Sequence, residues 1–180
     1  MPEIEIRQAT VADIPLLVGL DHRSATDTVW QMEFHHDREL GQVDIKFREV
    51  HLPRPVRFDY PRPVRALSDD WQRLSGLLVA TIASKPVGYA SMVLDMITQA
   101  TWMTDLVVDK PARRQGIGSA LLLSGVEFAI NNDSRALMLE MQPRNGPGIG
   151  LALKMGLEFC GYNDGFYPAN ETGIFFRRSL

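Results

Sequence analysis

The chain has 180 residues, of which 45% are hydrophobic and 23% are charged, a balance typical of one folded domain with a single core. Its formal net charge of −3 argues against general binding to nucleic acid or to an anionic membrane surface. The single cysteine, Cys160, excludes an intrachain disulfide framework and a cysteine-based zinc cluster.

The sequence shows no targeting or membrane signal. The first residues form no basic leader with an apolar core, and no uninterrupted apolar run approaches the roughly 20 residues that cross a bilayer. The four histidines lack the spacing of a metal-binding motif. We therefore expect one cytoplasmic domain over residues 1–180, with no bound metal and no nucleic-acid or membrane partner.

The first 37 residues predict a strand followed by one or two helices. Ile4 and Ile6 alternate with charged residues, as in a half-buried strand. The run Thr10-Val11-Ala12-Asp13 resembles a capping box and predicts a helix that carries apolar residues as far as Leu20. Residues 21–37 are mainly polar with a few large apolar side chains, which predicts a second helix or a mobile segment.

Residues 52–65 contain a near-duplication, Pro53-Arg54-Pro55-Val56-Arg57 and Pro61-Arg62-Pro63-Val64-Arg65. Prolines disfavour helix and favour extended geometry, so the segment is predicted to be an exposed surface connector. The four arginines leave a second interpretation open, in which they meet an acidic substrate or a partner subunit.

The rest of the chain alternates strands with helices. The predicted strands are 77–83, 87–96, 100–108, 136–141, 157–162 and 173–178, and the predicted helices are 119–130 and 146–155. This order predicts an α/β fold built on a mixed sheet.

The junction between the strand at 100–108 and the next helix carries the run Arg113-Arg114-Gln115-Gly116-Ile117-Gly118-Ser119-Ala120. Its two glycines allow a tight turn in which several backbone N–H groups point to one anion at the positive end of the helix, and the arginines would add charge. The run lacks the Lys-Ser/Thr of a P-loop and the third glycine of a dinucleotide motif, which argues against an ATPase or a dehydrogenase. A plain strand-to-helix turn without a ligand is the alternative.

This junction resembles the signature of the GNAT superfamily of N-acetyltransferases, Arg/Gln-x-x-Gly-x-Gly/Ala. The resemblance continues through the strand Leu137–Met141, through Asn145, and through a run similar to the family's Gly-Phe pair, Lys154-Met155-Gly156-Leu157-Glu158-Phe159. The run from Leu139 to Gln142, a later Gly-Tyr-Asn segment and a Phe-rich last strand are also similar to streptothricin-acetyltransferase-like members.

The resemblance implies a single-domain GNAT-like fold, with a mixed, mostly antiparallel central sheet flanked by helices and a variable substrate-side segment at 22–65. It implies acetyl-CoA as co-substrate, its phosphates at the glycine turn and its pantetheine arm where the strand at 106–108 splays from the strand at 137–141. The residues assigned to the coenzyme in this way are Leu106, Val107, Val108, Arg113, Arg114, Gln115, Gly116, Ile117, Gly118, Ser119 and Asn145. A plain buried strand at 106–108 and a turn role for Asn145 are the structural alternatives.

The resemblance fails at the position of one catalytic residue. In many relatives a tyrosine about four residues before the Gly-Phe pair protonates the leaving sulfur, but Ala152 lies there. Tyr162 or Tyr167 could supply a phenol instead, with Tyr167 preferred, or a thiol of pKa about 8.5 could leave unaided as thiolate. An incoming amine of pKa about 10 must lose a proton, and Asp105 and Glu140 are the candidate bases because they lie on the two strands expected to flank the acetyl group.

The two carboxylates have different structural alternatives. Strand alternation puts Asp105 and Val107 on one face of their strand and Leu106 on the other, so only one set faces the cleft. Asp105 could equally be a paired structural aspartate. Glu140 lies on an otherwise apolar strand, where a carboxylate is costly to bury without a task or a partner.

These features predict an acetyl-CoA-dependent N-acetyltransferase that transfers acetyl to a primary amine of a small molecule or of a lysine-like acceptor by direct attack. Two other functions stay open. One is an acyl-CoA-binding GNAT-like sensor without turnover, which Ala152 favours, and the other is a purely structural interaction domain. A homodimer is compatible with the sequence.

Overall fold

The computed structural model describes residues 3–180. The strands in this range are β1 Ile4–Gln8, β2 Ser24–Asp37, β3 Gln42–Phe58, β4 Gly76–Ile82, β5 Lys85–Asp95, β6 Ala100–Val108, β7 Ala136–Met141, β8 Glu158–Tyr167 and β9 Glu171–Ser179. The helices are α1 Ile14–Val18, α2 Ala66–Asp70, α3 Ile117–Asn131 and α4 Gly146–Lys154, and short 3₁₀ turns lie at Trp71–Arg73, Lys110–Ala112 and Pro168–Asn170.

One central sheet contains seven of these strands in the order β1-β4-β5-β6-β7-β9-β8, and β2 and β3 form a separate hairpin. Every neighbouring pair in the sheet is antiparallel except β6 and β7, which are parallel. Parallel neighbours need a long crossover, and α3 provides it. The prediction of an α/β fold with a mixed, mostly antiparallel sheet flanked by helices is confirmed.

The sheet separates two hydrophobic cores. The larger core lies under α3 and α4 and contains Leu121, Leu137 and Phe176, all fully buried. The smaller core lies on the opposite face under α1 and α2 and contains Leu17 and Tyr89. Because side chains of a strand alternate between the two faces, the face of a residue decides which helices it can meet.

Residues 24–37 form β2, so the prediction of a second helix there is wrong. Large apolar residues occur at every second position, Trp30, Met32 and Phe34, with polar residues between them. This period of two is typical of a strand, and Met32 and Phe34 lie opposite Phe47 and Ile45 of β3. The polar composition of the segment conceals the pattern.

The first proline-arginine repeat also belongs to a strand, because β3 continues to the end of that repeat. The predicted exposed, extended geometry is confirmed for this repeat, but the repeat belongs to a strand and is not a connector. The register of the hairpin shifts between Thr26 and Thr28, so residues 52–55 of β3 have no registered partner in β2. The missing N–H groups of Pro53 and Pro55 break no ladder at such an irregularity.

An aromatic cluster attaches the hairpin to the body of the protein. The ring of Trp30 lies 5.6 Å from the rings of Phe159 and Phe176, and the ring of Phe47 lies 5.0 Å from that of Phe159. The N–H of Trp30 also donates to the carbonyl of Pro143 at 2.8 Å, just before α4. The part of the hairpin around Trp30 therefore lies beside the carboxyl end of β7.

The first helix begins directly after Asp13 and ends at Val18, short of Leu20. Oδ2 of Asp13 accepts from the N–H of Thr10 at 2.7 Å, and its two oxygens accept from the Arg7 guanidinium at 2.8 and 2.9 Å. These contacts, chiefly the hydrogen bonds from Arg7, hold the pKa of Asp13 well below its usual value. The capping-box-like run thus links β1 to α1.

Helices able to span a bilayer are absent from residues 3–180. Within the same range, no group of three or more histidine, cysteine, aspartate or glutamate side chains is arranged to hold a metal ion. Cys160 is exposed on β8, where its thiol lies 3.4 Å from the carbonyl of Phe175.

Candidate active site

β6 and β7 separate before either strand ends. Their parallel pairing stops where Met103 pairs with Leu139. At the same point β6 shifts register against β5, because Ser91 pairs with Asp105 while the residue after Ser91 pairs with Met103. A bulge of this kind bends a strand away from its neighbour. A gap therefore opens where the resemblance places a splay.

The backbone of β6 beyond the bulge directs hydrogen-bonding groups into this gap. The N–H of Asp109 donates to the carbonyl of Val87 at 2.8 Å, and hydrogen-bonded pairs alternate along an antiparallel ladder. By that alternation the N–H and C=O groups of Leu106 and Val108 point away from β5. The carbonyl of Val108 accordingly accepts from Nε of Arg113 at 2.8 Å.

The turn before α3 presents backbone donors. Gly116 is the N-cap of α3 with a φ of +88°, a left-handed conformation that glycine adopts without strain. In the part of the chain that the structure describes, no protein group accepts a hydrogen bond from the N–H groups of residues 115–119. These donors lie at the positive end of the helix, so the turn is suited to bind an anion such as a phosphate.

Side chains beside the turn brace it. Nη2 of Arg113 donates to the carbonyl of Asp21 at 2.7 Å, and Nε2 of Gln115 donates to the carbonyl of Pro111 at 3.2 Å. Arg113 therefore ties the turn to the segment that follows α1. A contribution of Arg113 or Arg114 to phosphate binding stays a prediction.

The α4 helix carries two positions named by the resemblance. Asn145 is the N-cap of α4, and its Oδ1 accepts from the N–H of Gly148 at 3.0 Å. Ala152 is fully buried in the larger core, so the position of the missing tyrosine supplies no polar group. Asn145 thus has a structural role, and its contact with a coenzyme stays a prediction.

One guanidinium brings together the three residues predicted to be catalytic. Nη2 of Arg62 contacts Oε1 of Glu140, and Nη1 lies 3.6 Å from Oδ1 of Asp105. The guanidinium carbon lies 5.2 Å from the centre of the Tyr167 ring, within cation–π range. Nη1 also donates to the carbonyl of Thr104 at 2.8 Å. Residues from β6, β7 and β8 therefore meet around one cation.

Hydroxyl groups hold Asp105 in addition to Arg62. The hydroxyl of Tyr60 donates to Oδ1 of Asp105, and Oγ of Ser91 donates to Oδ2. Burial, followed by the negative charge of Asp105, raises the pKa of Tyr60 well above its usual value, so this phenol remains a donor. The carboxylate is fixed in position, as both the catalytic and the structural interpretation require.

Glu140 is buried where β7 leaves β6. Its side chain is 4% exposed, and in residues 3–180 its Oε1 makes no hydrogen bond beyond the contact with Arg62. Leu139 and Met141 belong to the larger core, so alternation puts Glu140 on the opposite face, which is the face of Asp105. The cost of burying this carboxylate is therefore offset by one ion pair.

A buried histidine adjoins the cluster. Nδ1 of His22 donates to the carbonyl of Leu20 at 2.8 Å, so Nε2 accepts from the hydroxyl of Tyr89 at 3.1 Å. Burial lowers the pKa of His22 and raises the pKa of Tyr89, which keeps both groups neutral at neutral pH. The ring of His22 meets the ring of Tyr60 edge-on at 5.4 Å.

Three residues of this cluster have no sequence motif that marks them as site residues. Arg62 belongs to the second proline-arginine repeat, for which contact with an acidic substrate was left open, and it meets carboxylates of the chain itself. Tyr60 lies 45 residues before Asp105, and His22 lies still earlier. Only tertiary packing brings these side chains together.

Two clefts lead to the cluster. The larger, of about 540 Å³, is lined by the segment that follows α1, including His22, and by Asp59. The smaller, of about 230 Å³, reaches Asp105. Tyr60 and Arg62 line both clefts. A small molecule in either cleft would therefore approach the carboxylates from the side of the loop before α2.

Residues 45–157, more than half of the chain, match the model of the Acetyltransferase (GNAT) family. The chain belongs to the GNAT acetyltransferases. It is therefore an acyltransferase, and acetyl-CoA is its acyl donor. The predictions of family, enzyme class and co-substrate are confirmed.

Known GNAT proteins resemble the chain over nearly its whole length. A streptothricin acetyltransferase of Streptomyces lavendulae is 27% identical over 173 residues, which covers 93% of this chain and 88% of the relative. A nourseothricin acetyltransferase structure has a TM-score of 0.81 at 22% identity and covers 98% of both chains. A Bacillus anthracis protein in complex with acetyl coenzyme A has a TM-score of 0.75 at 15% identity and covers 99% of this chain and 100% of that chain.

These comparisons support the GNAT fold and the relation to streptothricin acetyltransferases. The two solved structures are less than 25% identical to this GNAT chain, so they support its fold alone. The domain bounds 1–180, the variable segment 22–65, the site residues, the cytoplasmic location and the homodimer stay predictions.

Proposed function

We propose that this GNAT acetyltransferase transfers the acetyl group of acetyl-CoA directly to a primary amine of a small-molecule or lysine-like acceptor. The observation that carries the proposal is the pair of carboxylates on the two strands that border the gap, Asp105 and Glu140. Both contact Arg62 on one face of the sheet, and Asp105 lines the smaller cleft. A protonated amine in the smaller cleft would lie beside the carboxylate of Asp105.

The gap and the glycine turn fit the coenzyme. Backbone N–H groups of residues 115–119 would hold its pyrophosphate, with Arg113 and Arg114 as neighbouring charges. The outward backbone groups of Leu106 and the N–H of Val108 would pair with the pantetheine arm as another strand would, with Val107 between them and Asn145 as a further contact. An N–H group in the same gap would stabilise the charge that develops on the carbonyl oxygen.

The carboxylates supply the base that the reaction needs. An amine of pKa about 10 arrives as an ammonium ion, and Asp105 or Glu140 would take one proton from it directly or through water. Acetyl-CoA supplies the acetyl group as a thioester, so the nitrogen bonds to the acetyl carbon as the carbon–sulfur bond breaks. The nitrogen loses its second proton to solvent, and coenzyme A departs as a thiolate.

Tyr167 is suited to stabilise that thiolate as a hydrogen-bond donor. Burial raises the pKa of its phenol, so the phenol holds its proton more tightly than a thiol of pKa about 8.5 does. Full proton transfer to the sulfur is therefore unfavourable, whereas a hydrogen bond requires no transfer. Tyr162, the other phenol considered, packs instead against the ring of Phe47 at 5.6 Å.

The acceptor that we favour is a small molecule of the streptothricin class. The support is the similarity to the streptothricin acetyltransferase of Streptomyces lavendulae, together with the net negative charge of the cluster formed by Asp105, Glu140 and Arg62. A lysine-like side chain is the second candidate, because it presents the same protonated amine.

Coenzyme A release from acetyl-CoA, measured with a thiol reagent across an amine panel that includes streptothricin, tests the proposal. We expect amine-dependent release that falls about 100-fold in Glu140→Gln. The matched control, Glu127→Gln, alters an exposed carboxylate on α3 and should keep wild-type activity.

The same preparation separates the alternatives. Acetyl-CoA that binds without thiol release for any amine would favour the sensor. An unchanged melting temperature in saturating acetyl-CoA would contradict the coenzyme site at the glycine turn, since a ligand at 100 times its Kd stabilises by about 2.7 kcal/mol.

A further inference from the structure

We propose that Arg62 is a positioning residue that gives Asp105 and Glu140 a shared counter-ion and holds them on opposite sides of the gap between β6 and β7. This inference rests on the proposed function, because the two carboxylates are its candidate bases. It concerns a residue that belongs to neither the glycine turn nor the splayed strands.

Arg62 connects the two strands where their backbones no longer pair. On the β6 side, Nη1 donates to the carbonyl of Thr104 at 2.8 Å and lies 3.6 Å from Oδ1 of Asp105. On the β7 side, Nη2 contacts Oε1 of Glu140. The last backbone pair, Met103 with Leu139, lies immediately before these contacts. The guanidinium fork therefore replaces the missing ladder with a charge-assisted link.

The backbone around Arg62 is constrained to hold this geometry. Arg62 lies between Pro61 and Pro63, so its neighbours have fixed φ angles and its own backbone is biased towards extended conformations. Its side chain is 30% exposed, although an arginine on a free connector would be fully solvated. The flanking prolines reduce the backbone entropy that is lost when the segment carrying Arg62 is fixed.

No other cation neutralises the two carboxylates in the described part of the chain. The remaining titratable groups that face them are Tyr60, Tyr89, Tyr167 and His22. The phenols are neutral because burial raises the pKa of each, and His22 is neutral because burial lowers its pKa. Glu171, at the start of β9, adds negative charge that Arg144 pairs with.

Loss of the guanidinium would leave two carboxylates in one recess with no counter-ion. Like charges at close range disfavour the doubly ionised state, so one of Asp105 and Glu140 would retain a proton to higher pH. A protonated carboxyl cannot accept a proton from an ammonium ion. Arg62 would therefore act on the reaction through the protonation state of the base, without touching the substrate itself.

The experiment compares Arg62→Met, Arg62→Lys and Arg54→Met with the wild type. Arg54 is the matched control, because it occupies the same place in the first Pro-Arg-Pro-Val-Arg repeat and is exposed on β3. The first measurement is a ¹³C NMR titration of side-chain carboxyl groups, which needs no turnover. The second is the pH dependence of kcat/KM for whichever amine supports coenzyme A release.

In Arg62→Met, we expect one of the two carboxyl groups to titrate at higher pH than in the wild type, with the acid limb of kcat/KM displaced in the same direction. Arg62→Lys should restore most of the displacement, and Arg54→Met should show none. Unshifted carboxyl titrations in Arg62→Met, or an equal shift in Arg54→Met, would overturn the inference. If Arg62→Met does not fold, Arg62→Gln takes its place with the same expectation.

The two measurements separate this inference from the proposed function. A wild-type enzyme that acetylates no amine would contradict the proposed function, while the NMR titration would still decide the role of Arg62. Turnover by the wild type with an unmoved pH profile in Arg62→Met would leave the function standing and remove the inference.

Discussion

A Cβ atom on Gly118 would lie 3.2 Å from Cδ2 of Leu151, so the start of α3 packs closely against the side chain of Leu151 on α4. A Cβ atom on Gly116 would meet nothing within 4 Å, but the φ of Gly116 is +88°. Backbone conformation therefore requires glycine at position 116, whereas a Cβ atom at position 118 meets only the movable end of the Leu151 side chain.

This difference predicts unequal effects of alanine on coenzyme binding. Gly118→Ala should keep acetyl-CoA affinity within about twofold, because the far end of the Leu151 side chain can move and alanine favours helix. Gly116→Ala should weaken affinity about tenfold, since a left-handed alanine costs roughly 1–2 kcal/mol and relaxation redirects the N–H groups. Calorimetric titration with acetyl-CoA measures both. Equal Kd values for the two variants would contradict a phosphate site built from this backbone.

Tyr167→Phe tests whether the phenol stabilises the thiolate by a hydrogen bond. We expect kcat to fall about tenfold with an unchanged Kd for acetyl-CoA, because one hydrogen bond to a charged group contributes roughly 1.5–3 kcal/mol at most. The shape of the pH profile should stay the same, since the phenol does not titrate in the working range. Tyr162→Phe is the control and should keep kcat. A loss of 1,000-fold or more in Tyr167→Phe would instead favour a full general acid.

Two ion pairs of equal length should differ in their contribution to stability. Arg7–Asp13 and Arg73–Asp70 both have an N–O distance of 2.8 Å, but the Asp13 side chain is 6% exposed and the Asp70 side chain is 51% exposed. Asp13→Ala should lower the free energy of unfolding by about 1–3 kcal/mol because it removes the partly buried hydrogen bonds from Arg7 and Thr10. Asp70→Ala should change it by less than about 0.5 kcal/mol. Urea unfolding at pH 7 compares them, and equal losses would be the contrary result.

The lowered pKa of Asp13 determines the pH range in which this carboxyl contributes to the free energy of unfolding. A carboxyl whose folded pKa lies below its unfolded value of 3.8 contributes its full stability above that value and loses it as the pH falls below it. Asp13→Asn should therefore flatten the dependence of stability on pH below about pH 4. The slope above pH 5 should not change.

His22 predicts a second window at higher pH. Burial lowers its pKa, so below the unfolded value of 6.5 the unfolded chain binds a proton that the folded protein excludes. The free energy of unfolding should be level above about pH 6.5 and fall as the pH drops towards 5. His22→Gln should remove that slope, whereas exposed His51→Gln should keep it. Urea midpoints at pH 7.5, 6.5 and 5.5 decide the matter, and a persistent slope in His22→Gln would refute this assignment.

Glycines of α4 predict opposite responses to one substitution. A Cβ atom on Gly146 would lie 2.4 Å from Oγ1 of Thr26 and 2.5 Å from the carbonyl of Thr28, whereas one on Gly150 would meet no atom within 4 Å. Gly146→Ala should push the hairpin from α4 and lower the melting temperature by several degrees. Gly150→Ala should raise stability by up to about 1 kcal/mol through helix propensity. Stabilisation by both changes would show that the hairpin is not packed on this helix.

Sequence patterns predict the fold well where they are local. The strands from Leu77 onward follow from alternation bounded by turn residues, and the helix after the glycine turn follows from its apolar run. The strand at residues 24–37 is not predicted, because the polar composition of the segment conceals apolar residues at every second position. The strand at Pro53 and Pro55 is not predicted, because proline is tolerated there only by an irregular register between two strands. The sequence of one strand does not reveal such a register.

Some residues of the candidate site can be identified from the sequence, and others only from the tertiary structure. Asp105 and Glu140 are identifiable from their strands, because a carboxylate on an apolar strand calls for a partner. The partner itself is not identifiable, since Arg62 lies 42 residues before Thr104 and reaches it only through the packed tertiary structure. The placement of the Tyr60 and His22 side chains in the site depends on the same long-range packing.

The pentapeptide Pro-Arg-Pro-Val-Arg occurs twice and adopts two backbone shapes. Residues 53–57 are extended within β3, whereas residues 61–65 turn, so that Arg65 has helical angles of −60° and −23° at the start of α2. Exchanging the copies would leave the amino-acid sequence unchanged, yet only one of them carries its arginine between two acids. Surroundings, and not the five residues themselves, determine which copy acquires a chemical role.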